Sequence, residues 1–513
     1  MPRLRKAIAV PTAIVASAAL AVTTGPAALA GSGSDAAELP NELADSIKLG
    51  EVNRHLTAFQ RIAATSDGDR ASGTEGYDRS AEYVAGKLSD AGFIVSRQEF
   101  PFVYFETLAE ELASGGEDYE INIMRYSPST PEGGLSAPTV AVPESDEPGC
   151  EVGAYDGVDA DGKIALIQRG ACTFAAKQEA ATEAGAVAAV VYNNGEGPLH
   201  GTLGAPSGTG IPIGGVSDSA GAELVAAAGE EATLDLRAIT EERTTYNVVA
   251  ETRTGATDNV VMAGAHLDSV VEGAGVNDNG TGSAALLQTA LEMGSQPDVN
   301  NAVRFAWWGA EEVGLVGSTH YVQSLSFEEQ LDIAMYLNFD MVGSPNGGHF
   351  VYDGDGDEFE QPGPPGSEAI ERSFVDRLSE QDVASEPSEL NMRSDYAEFM
   401  AQGIPVGGLF TGAEGTKTEE QADKWGGQAG EAYDPCYHTE CDHIGNVNRG
   451  ILMDNVAAIA FVVGSYGLST EDVNGLAAGE SASHTERAQQ RAVQLRSTKQ
   501  DRAGSAHTEP AVS

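Results

Sequence analysis

Side chains that could bind a metal follow the apolar segments of this sequence. Residues 260–265 (VVMAGA) predict a buried strand of a parallel sheet, and His266 and Asp268 come directly after it. A glycine-rich loop then carries Asp278. In open α/β sheets, ligands bind beyond the carboxyl ends of the strands. We therefore expect an imidazole and two carboxylates to meet at that edge, where they could hold a metal ion.

Two more apolar segments lead to carboxylates. Residues 302–308 (AVRFAWW) precede Glu311 and Glu312, and residues 333–343 (IAMYLNFDMVG) contain Asp340. A carboxylate in an apolar strand is costly to bury unless it is paired or binds a metal. Neighbouring side chains of a strand point in opposite directions, so one glutamate can bind a metal while the other faces the reacting water.

The second imidazole is His438, in the segment CYHTEC at 436–441, where a disulfide would stiffen its loop. Nitrogen and oxygen ligands without thiolate suit Zn²⁺, with Mn²⁺ or Co²⁺ as substitutes. Five protein ligands are too many for one catalytic zinc with an open position, but they fit two metals that share a carboxylate. Asp278, on its loop, is the natural bridge, and Asp268 is expected to orient His266 through its other ring nitrogen. The five ligands are His266, Asp278, Glu312, Asp340 and His438.

The predicted elements must position these residues. A chain of 513 residues is too long for one core, so two or three domains are expected. Helices over 47–64 and 77–91 and a strand over 93–102 precede the metal-binding segments, and a buried helix over 455–467 follows them. The turn-rich loop 66–74 needs no function beyond capping the helix after it.

The two ends of the chain differ from its body. A basic start precedes an apolar segment that ends in an A-x-A site at 28–30, so residues 1–30 predict a signal peptide. No other stretch is expected to span a bilayer, which predicts a secreted, extracellular protein without a membrane segment after cleavage. The Ala-, Ser- and Gln-rich segment 471–513 is expected to be disordered or processed, with a partner-binding role as the alternative.

The charge of the chain excludes one class of partner. The formal net charge is −49, so phosphates would be repelled and nucleic acid is not expected to bind. A solvated acidic surface is the plain interpretation. Adaptation to high salt, where screening removes the self-repulsion, is the sharper hypothesis.

The cysteines predict two disulfides. Their even number, four, suits an oxidising compartment. Their grouping along the sequence predicts the pairs Cys150–Cys172 and Cys436–Cys441. A four-cysteine metal site is the alternative, and it is disfavoured because neither pair has C-x-x-C spacing.

The segment from 127 to 240 has a character of its own. It combines short predicted strands with many Gly and Pro turns, and it holds no set of His, Asp and Glu residues that could bind a metal. The motifs DGKIALIQRG (161–170), CTF (172–174) and AVAAVVYNN (186–194) resemble the protease-associated (PA) domain. The resemblance implies a β-rich lid inserted in a peptidase and acting on substrate access; an inert insert is the alternative.

Six blocks, in order, resemble the M28 family of zinc peptidases, above all its secreted Streptomyces-type leucine aminopeptidases. The blocks are GAHLDS (264–269), NDNGTG (277–282), GAEEVG (309–314), RSDY (393–396), GGLFTG (407–412) and YDPCYH (433–438). The resemblance implies an α/β fold of the zinc exopeptidase type, with a mixed, mostly parallel central sheet flanked by helices. This domain would comprise residues 31–126 and 241–470, with the PA-like domain of residues 127–240 inserted in it.

The resemblance also implies a centre of two Zn²⁺ per chain. His266 and Asp340 would bind one zinc ion. Glu312 and His438 would bind the other, and Asp278 would bridge the two. Some secreted members of the family also bind Ca²⁺.

The resemblance assigns the catalytic and substrate-binding roles as well. Glu311 would be the general base and acid, and Tyr437 would hydrogen-bond the scissile carbonyl oxygen. The free α-amine would be held by Glu311, Asp340 and the backbone carbonyl of Arg393. Phe410 would help line the pocket for the first side chain of the substrate.

Two positions qualify the resemblance. Tyr396 stands where members of the family often have His in an S-D-H block, so the fit of the substrate could differ here. Asp442 and the acidic surface could serve a Ca²⁺ ion, although no loop is seen whose spacing of ligands demands calcium.

These observations predict a secreted, monomeric metallo-aminopeptidase. It would use two zinc ions to hydrolyse the N-terminal bond of peptides and proteins with a free N-terminus, favouring large apolar first residues such as Leu. A carboxypeptidase or dipeptidase of the same family is the first alternative, and it needs a cation for the substrate carboxylate, for which Arg393 is the main candidate. A non-catalytic, receptor-like binding module is the second, disfavoured because all five ligands and Glu311 are present.

Overall fold

A computed structural model describes residues 38–206, 209–489 and 491–492, so the predicted signal peptide lies outside the described residues. The α-helices are α1 (Leu39–Ser46), α2 (Leu49–Ala63), α3 (Glu75–Asp90), α4 (Phe174–Glu183), α5 (Asp218–Ala226), α6 (Gly280–Met293), α7 (Val316–Ser324), α8 (Phe327–Leu331), α9 (Ser367–Glu380), α10 (Tyr396–Ala401), α11 (Glu419–Trp425), α12 (Arg449–Leu468) and α13 (Glu471–Asn474). The β-strands are β1 (Ile94–Ser114), β2 (Glu117–Tyr119), β3 (Asn122–Ile123), β4 (Leu135–Ala141), β5 (Ile164–Gln168), β6 (Ala188–Tyr192), β7 (Ile213–Val216), β8 (Glu231–Glu251), β9 (Ala256–His266), β10 (Asn301–Trp308), β11 (Ile333–Phe339), β12 (Phe350–Tyr352), β13 (Glu386–Ser388) and β14 (Val406–Phe410).

The main sheet is a mixed sheet with a parallel centre. Its strands follow the order β13-β12-β14-β11-β9-β10-β8, and β1 pairs with β8 at the edge. Strands β14, β11, β9 and β10 are parallel neighbours, whereas β8 and β12 join antiparallel on either side. The central strands are buried along almost their whole length because helices cover both faces. The predicted α/β fold with a mixed, mostly parallel central sheet is confirmed.

Alternating side chains of this sheet build two cores. Trp307 and Trp308 are neighbours in β10, are both fully buried, and belong to cores on opposite faces. The larger core contains side chains of α2, α3, α6, α9 and α12. The smaller core contains side chains of α7 and α10, where the rings of Tyr336 and Phe399 stack at 3.9 Å between centroids. The sheet is therefore a rigid support for the loops at the ends of its strands.

A long two-stranded ribbon carries the inserted body, residues 112–238. Strands β1 and β8 pair antiparallel from Ile94 and Glu251 in the main sheet to Ser114 and Ala232 in the insert. Strand β8 then continues a second sheet in the order β8-β4-β5-β6-β7-β3. The insert has its own apolar core and the predicted disulfide Cys150–Cys172. Leu112 of the ribbon, before the predicted start at residue 127, also packs in that core.

Helix α12 passes through the main body. By length and composition it could cross a membrane, which corrects the expectation that no stretch after the leader could do so. Two-thirds of its apolar window is buried inside the protein, against α1, α6 and α9. It is therefore the core helix that the sequence predicted over 455–467.

The chain after α12 also contacts the main body. Val473 of α13 is buried in the main core, and Arg487 is buried with its Nη2 atom 3.3 Å from the Asp258 carboxylate. The part of the segment 471–513 that the structure describes is thus packed on the main body, and disorder or processing of the tail stays a prediction. Residues 493–513 lie outside the described residues.

Candidate metal centre

The five predicted ligands lie together at the carboxyl ends of the central strands. His266 is the last residue of β9, Asp340 follows β11 directly, and Glu312 lies four residues beyond β10. Asp278 lies on the loop before α6, and His438 lies between α11 and α12. Parallel strands end at one edge of the sheet, so ligands that are distant in sequence converge there.

One group of ligands surrounds the imidazole of His266. Its Nε2 atom lies 3.2 Å from Oδ1 of Asp278 and 3.3 Å from Oδ1 of Asp340. The carboxylate of Glu311 is farther away, at 4.0 Å. A second group surrounds His438, whose Nε2 atom lies 3.2 Å from Oδ2 of Asp278. The two oxygens of Asp278 thus face two different imidazoles.

Glu312 completes the second group. Its Oε2 atom lies 3.0 Å from Nε2 of His438, and its Oε1 atom is buried without a hydrogen-bond partner among the described residues. A buried carboxylate oxygen without a partner is costly unless a cation satisfies it. The residues present therefore fit a metal: two imidazoles and oxygen ligands only, with one oxygen left unsatisfied at the centre.

The charges of the centre favour a cation in it. Burial lowers the pKa of His266, but the carboxylates of Glu311 and Asp340 outweigh burial and raise that pKa well above 6.5. For His438, burial also lowers the pKa, and the carboxylates of Glu312 and Asp278 raise it to about 11. The carboxylates that favour a proton on each ring favour a metal ion in the proton's place.

Glu311 occupies a different environment from Glu312. Burial raises the pKa of Glu311 well above 4.5, and the charges of Glu312, Asp395 and Asp340 raise it further, against the opposing effect of His266. A carboxylate with a raised pKa accepts and returns a proton near neutral pH. The arrangement suits proton transfer at Glu311.

Asp268 lies against the second ring nitrogen of His266. Its Nδ1 atom lies 3.2 Å from the backbone carbonyl oxygen of Asp268, whereas the Asp268 carboxylate is 3.6 Å away. That carboxylate instead accepts a hydrogen bond from the backbone N–H of Glu311 at 3.3 Å. The Asp268 carboxylate thus lies beside the Nδ1 side of the ring and also holds the Glu311 loop, and its role in orienting His266 stays a prediction.

The loop that carries Asp278 is held by Asp442. The two oxygens of Asp442 accept the backbone N–H groups of Asn277 at 2.8 Å and Asp278 at 2.9 Å. Asn279 then links this loop to the end of β11, because its amide donates to the carbonyl of Phe339 at 2.9 Å. The position of Asp278 relative to Asp340 is therefore fixed by hydrogen bonds.

Three residues next to or within the ligand set have left-handed backbone. They are Ala310 (φ 56°), Met341 (φ 48°) and His438 (φ 57°). Residues other than glycine adopt this region at a cost, and such positions concentrate at functional sites. The predicted disulfide Cys436–Cys441 encloses the loop that presents His438.

The ligands open into a cavity of about 370 Å³. Tyr437 and Phe410 line it, as predicted, and the ring of Tyr437 stacks on that of His438 at 3.8 Å between centroids. Burial raises the pKa of Tyr437 above 10, and the charges of Asp278 and Glu312 raise it further. The apolar part of the wall is formed by Met341, Phe350, Tyr352, Phe359, Phe410 and Tyr433.

Comparison with known proteins shows the family of the chain. The sequence model of Peptidase family M28 matches residues 247–463, and that of the PA domain matches residues 135–224. The chain is 44% identical over 450 residues to the probable lipoprotein aminopeptidase LpqL of Mycobacterium tuberculosis, over 86% of this chain and 90% of the relative. The chain belongs to peptidase family M28.

Other relatives agree with this assignment. The M28 chain is 41% identical over 434 residues to leucine aminopeptidase 2 of Trichophyton tonsurans, over 84% of this chain and 86% of the relative. The structure of BSAP, a zinc aminopeptidase from Bacillus subtilis, matches with a TM-score of 0.61 and 28% identity, over 81% of this chain and 95% of that one. The predicted M28 peptidase with an inserted PA domain is confirmed, as is its class of enzyme, a zinc-dependent aminopeptidase.

Sequence reasoning missed two supports of this M28 centre in the loop 66–74. Arg70 is fully buried and donates from Nε to the carbonyl of Ala274 at 2.8 Å and from Nη2 to that of Gly275 at 2.6 Å. Ser72 accepts the backbone N–H of Ala310 at 2.7 Å. Thr74 does cap α3, as predicted, but the loop also holds both metal-binding loops.

Sequence reasoning also missed an acidic group in this M28 chain. Asp353, Asp355 and Asp357 alternate along the loop after β12, and their carboxylates lie within 4.8 Å of one another. The oxygens of Asp353 already accept backbone N–H groups of Gly356 and Phe359. Calcium binding by this chain stays a prediction. Asp442, the residue suggested for it, uses both oxygens to hold the Asp278 loop.

Proposed function

We propose that this M28 enzyme is a two-zinc aminopeptidase that hydrolyses the N-terminal bond of peptides and proteins. The observation that carries the proposal is the placement of Asp278, with one oxygen 3.2 Å from His266 and the other 3.2 Å from His438. A carboxylate with one oxygen toward each group of ligands can bridge a pair of metals. His266 and Asp340 would hold one zinc, and Glu312 and His438 the other.

Glu311 would move the proton. Zinc ions at this centre would supply a Lewis acid for the scissile carbonyl and lower the pKa of a water molecule toward neutrality. Glu311 lies beside the ligands without being needed as one, and its raised pKa suits a group that accepts a proton from the attacking water and then donates it to the leaving amine.

Tyr437 would stabilise the oxyanion. Its hydroxyl stays protonated through the neutral range because burial and the nearby carboxylates raise its pKa, so it can donate a hydrogen bond where negative charge develops. Its stacking on His438 limits where the ring can move.

The residues around the cavity support the proposal that the enzyme recognises the free N-terminus of its substrate. The carboxylates of Glu311 and Asp340 and the backbone carbonyl of Arg393 would accept hydrogen bonds from a protonated or neutral α-amine. The aromatic wall, with Phe410, suits a large apolar first side chain such as that of Leu. The Arg393 guanidinium already pairs with Glu414 at 2.7 Å, which argues against its use for the carboxylate of a carboxypeptidase substrate.

Secretion belongs to the same proposal. The A-x-A leader and the two disulfides suit a chain exported to an oxidising compartment. The enzyme would act there, as a monomer, on peptides with free N-termini.

The test is release of p-nitroaniline from Leu-p-nitroanilide by the secreted protein, before and after chelation and after zinc is added back. We expect activity that disappears with the chelator, returns with zinc, and is absent on the N-acetylated substrate. Zinc measured by atomic absorption should reach two ions per chain. Chelator-sensitive release of C-terminal residues from a blocked peptide, without activity on free-amine substrates, would contradict the proposal.

A further inference from the structure

The inserted body touches the metal centre through one arginine. The guanidinium of Arg125 donates from Nη1 to the backbone carbonyl oxygen of Glu312 at 3.1 Å. Arg125 belongs to the insert, whereas Glu312 binds the second metal position through its side chain. The contact joins residues 187 positions apart in sequence.

Four hydrogen bonds from distant parts of the chain hold the backbone of this loop, residues 309–312. Three come from the main body: Asn247 accepts the N–H of Gly309 at 3.1 Å, Ser72 accepts that of Ala310, and Asp268 accepts that of Glu311. The fourth, at the carbonyl of Glu312, comes from Arg125. The insert therefore supplies the hydrogen bond at the residue that itself binds the metal.

The backbone of Arg125 is fixed by hydrogen bonds within the insert. Its backbone N–H donates to the carbonyl of Gly201 at 2.8 Å, and its carbonyl accepts the N–H of Leu203 at 3.0 Å. Its guanidinium lies 5.4 Å from the centre of the Tyr126 ring, and its Nε atom is buried without a partner among the described residues. The orientation of the charged group is thus determined by the insert.

We propose that Arg125 is a positioning residue of the peptidase centre. Through it, the inserted body helps to hold the residues that bind the metal and transfer the proton. The proposal rests on the two-zinc function proposed above. The bond to the Glu312 carbonyl fixes the backbone from which the Glu312 carboxylate reaches His438 and from which Glu311 faces the cavity. The bond needs the insert to be seated on the main body, so any movement of the insert changes the metal centre.

A small displacement of this loop is expected to change the geometry of the metal centre. Glu312 has one oxygen 3.0 Å from His438 and the other buried without a partner among the described residues, so a shift of its backbone changes the distance from its carboxylate to His438. Residues that support metal ligands from behind change metal affinity or activity when they are replaced. Because Arg125 bonds to the backbone rather than to one side chain, loss of this bond would shift Glu311 and Glu312 together.

The experiment compares Arg125→Met and Arg125→Lys with the wild-type full chain. Arg169→Met is the matched control, because Arg169 also lies in the insert but donates to Asn193 within it, at 3.0 Å. The measurements are kcat and KM for Leu-p-nitroanilide, the rate of zinc loss to a chelator, and the melting temperature. The rate of zinc loss tests Arg125 whether or not this substrate is turned over.

For Arg125→Met we expect kcat to fall about tenfold with KM changed by less than about twofold, and zinc to be lost about tenfold faster. Arg125→Lys should recover part of both, and Arg169→Met should match the wild type at an unchanged melting temperature. Wild-type kcat and zinc retention in Arg125→Met would overturn the proposal. Equal losses in Arg169→Met, or a loss that only follows a lowered melting temperature, would overturn it too. An inactive wild type that still loses zinc faster after Arg125→Met would count against the proposed substrate alone.

Discussion

Glu311 and Glu312 show how two identical side chains acquire different roles. Both side chains are largely buried, with 10% and 6% of their surface exposed, and burial raises both pKa values, that of Glu312 to about 7. Glu312 contacts His438 directly, whereas Glu311 stays 4.0 Å from His266. The backbone turn at Ala310, with φ 56°, sends the two carboxylates to different parts of the site. One residue is thereby left free for proton transfer.

Replacing Glu311 should separate metal binding from turnover. In Glu311→Gln the amide cannot accept the proton of the attacking water, so we expect kcat to fall by about 10²–10⁴-fold while zinc content stays at the wild-type value. Steady-state kinetics and zinc analysis of the same preparation check this. The control is Glu414→Gln, a carboxylate of the same cavity that pairs only with Arg393 in the described contacts. Near-wild-type turnover of Glu311→Gln with zinc bound would remove Glu311 from its assigned role.

Asp442 should control metal affinity through Asp278, the proposed bridging ligand. In Asp442→Asn one acceptor oxygen becomes an N–H₂ group that faces a backbone N–H, so the Asp278 loop loses a hydrogen bond. We expect the zinc dissociation constant to rise by about 10–100-fold, with most of the activity restored by excess zinc. Competition with a chromogenic chelator measures the constant. Asp454→Asn, at a half-exposed carboxylate beside His349, is the control, and an equal effect there would contradict the assignment.

That the five proposed ligands lie together could be predicted from sequence, because each follows a buried strand or lies in a glycine-rich or cysteine-bounded loop. Arg70 could not be predicted in the same way. Charged side chains are almost never fully buried, and its partners are carbonyl oxygens of residues about 200 positions away. For Asp268 the H-x-D spacing predicts a carboxylate near the His266 ring, but the spacing does not give the distance of 3.6 Å between them.

Among the elements, the packing of α2 on α6 contains a titratable group. His55 is buried. Its Nδ1 atom lies 2.8 Å from the Tyr83 hydroxyl, and its Nε2 atom lies 3.1 Å from the side-chain amide oxygen of Gln288. Burial lowers the pKa of His55 to about 4. In the unfolded chain an unperturbed His has a pKa of about 6.5. The folded state therefore requires the neutral ring.

Acid should destabilise the protein through His55. A folded pKa below the unfolded value means that the unfolded state binds more protons between pH 6.5 and about 4, so the stability present above pH 6.5 is lost as the pH falls through that window. The loss amounts to roughly 3 kcal/mol. In His55→Gln the free energy of unfolding from denaturant titration should depend less on pH there. The exposed His200→Gln should behave as the wild type, and an unchanged pH dependence in His55→Gln would contradict the assignment.

The elements of the main body were largely predictable, because apolar runs and helix caps are local signals. The sequence predicts a helix over 47–64, and α2 runs over Leu49–Ala63. The ribbon was not predictable at its true length. Strands β1 and β8 are 21 residues long each, and for much of that length they pair mainly with each other. Because they are partly exposed there, no apolar sequence pattern predicts them.

For the whole molecule, the charge of −49 dominates the long-range electrostatics. If the acidic surface is an adaptation to high salt, like-charge repulsion destabilises the folded state in dilute buffer, and screening should relieve it. We expect the melting temperature to rise with NaCl up to about 1 M, where the screening length falls to roughly 3 Å. Calorimetry at several salt concentrations checks this, with sucrose of equal osmolality as the control. A melting temperature independent of salt, or an equal rise with sucrose, would contradict the hypothesis.

The ribbon has a consequence for how such a chain can be altered. Strands β1 and β8 are already paired where they leave the main sheet, so the points of exit and return lie side by side. Closing a loop between adjacent points costs little extra chain entropy, whatever its length. A different module, or a short turn, could be placed at this junction without changing the register of the sheet. The junction is a natural site for recombination, where one peptidase scaffold can acquire, exchange or lose an accessory module.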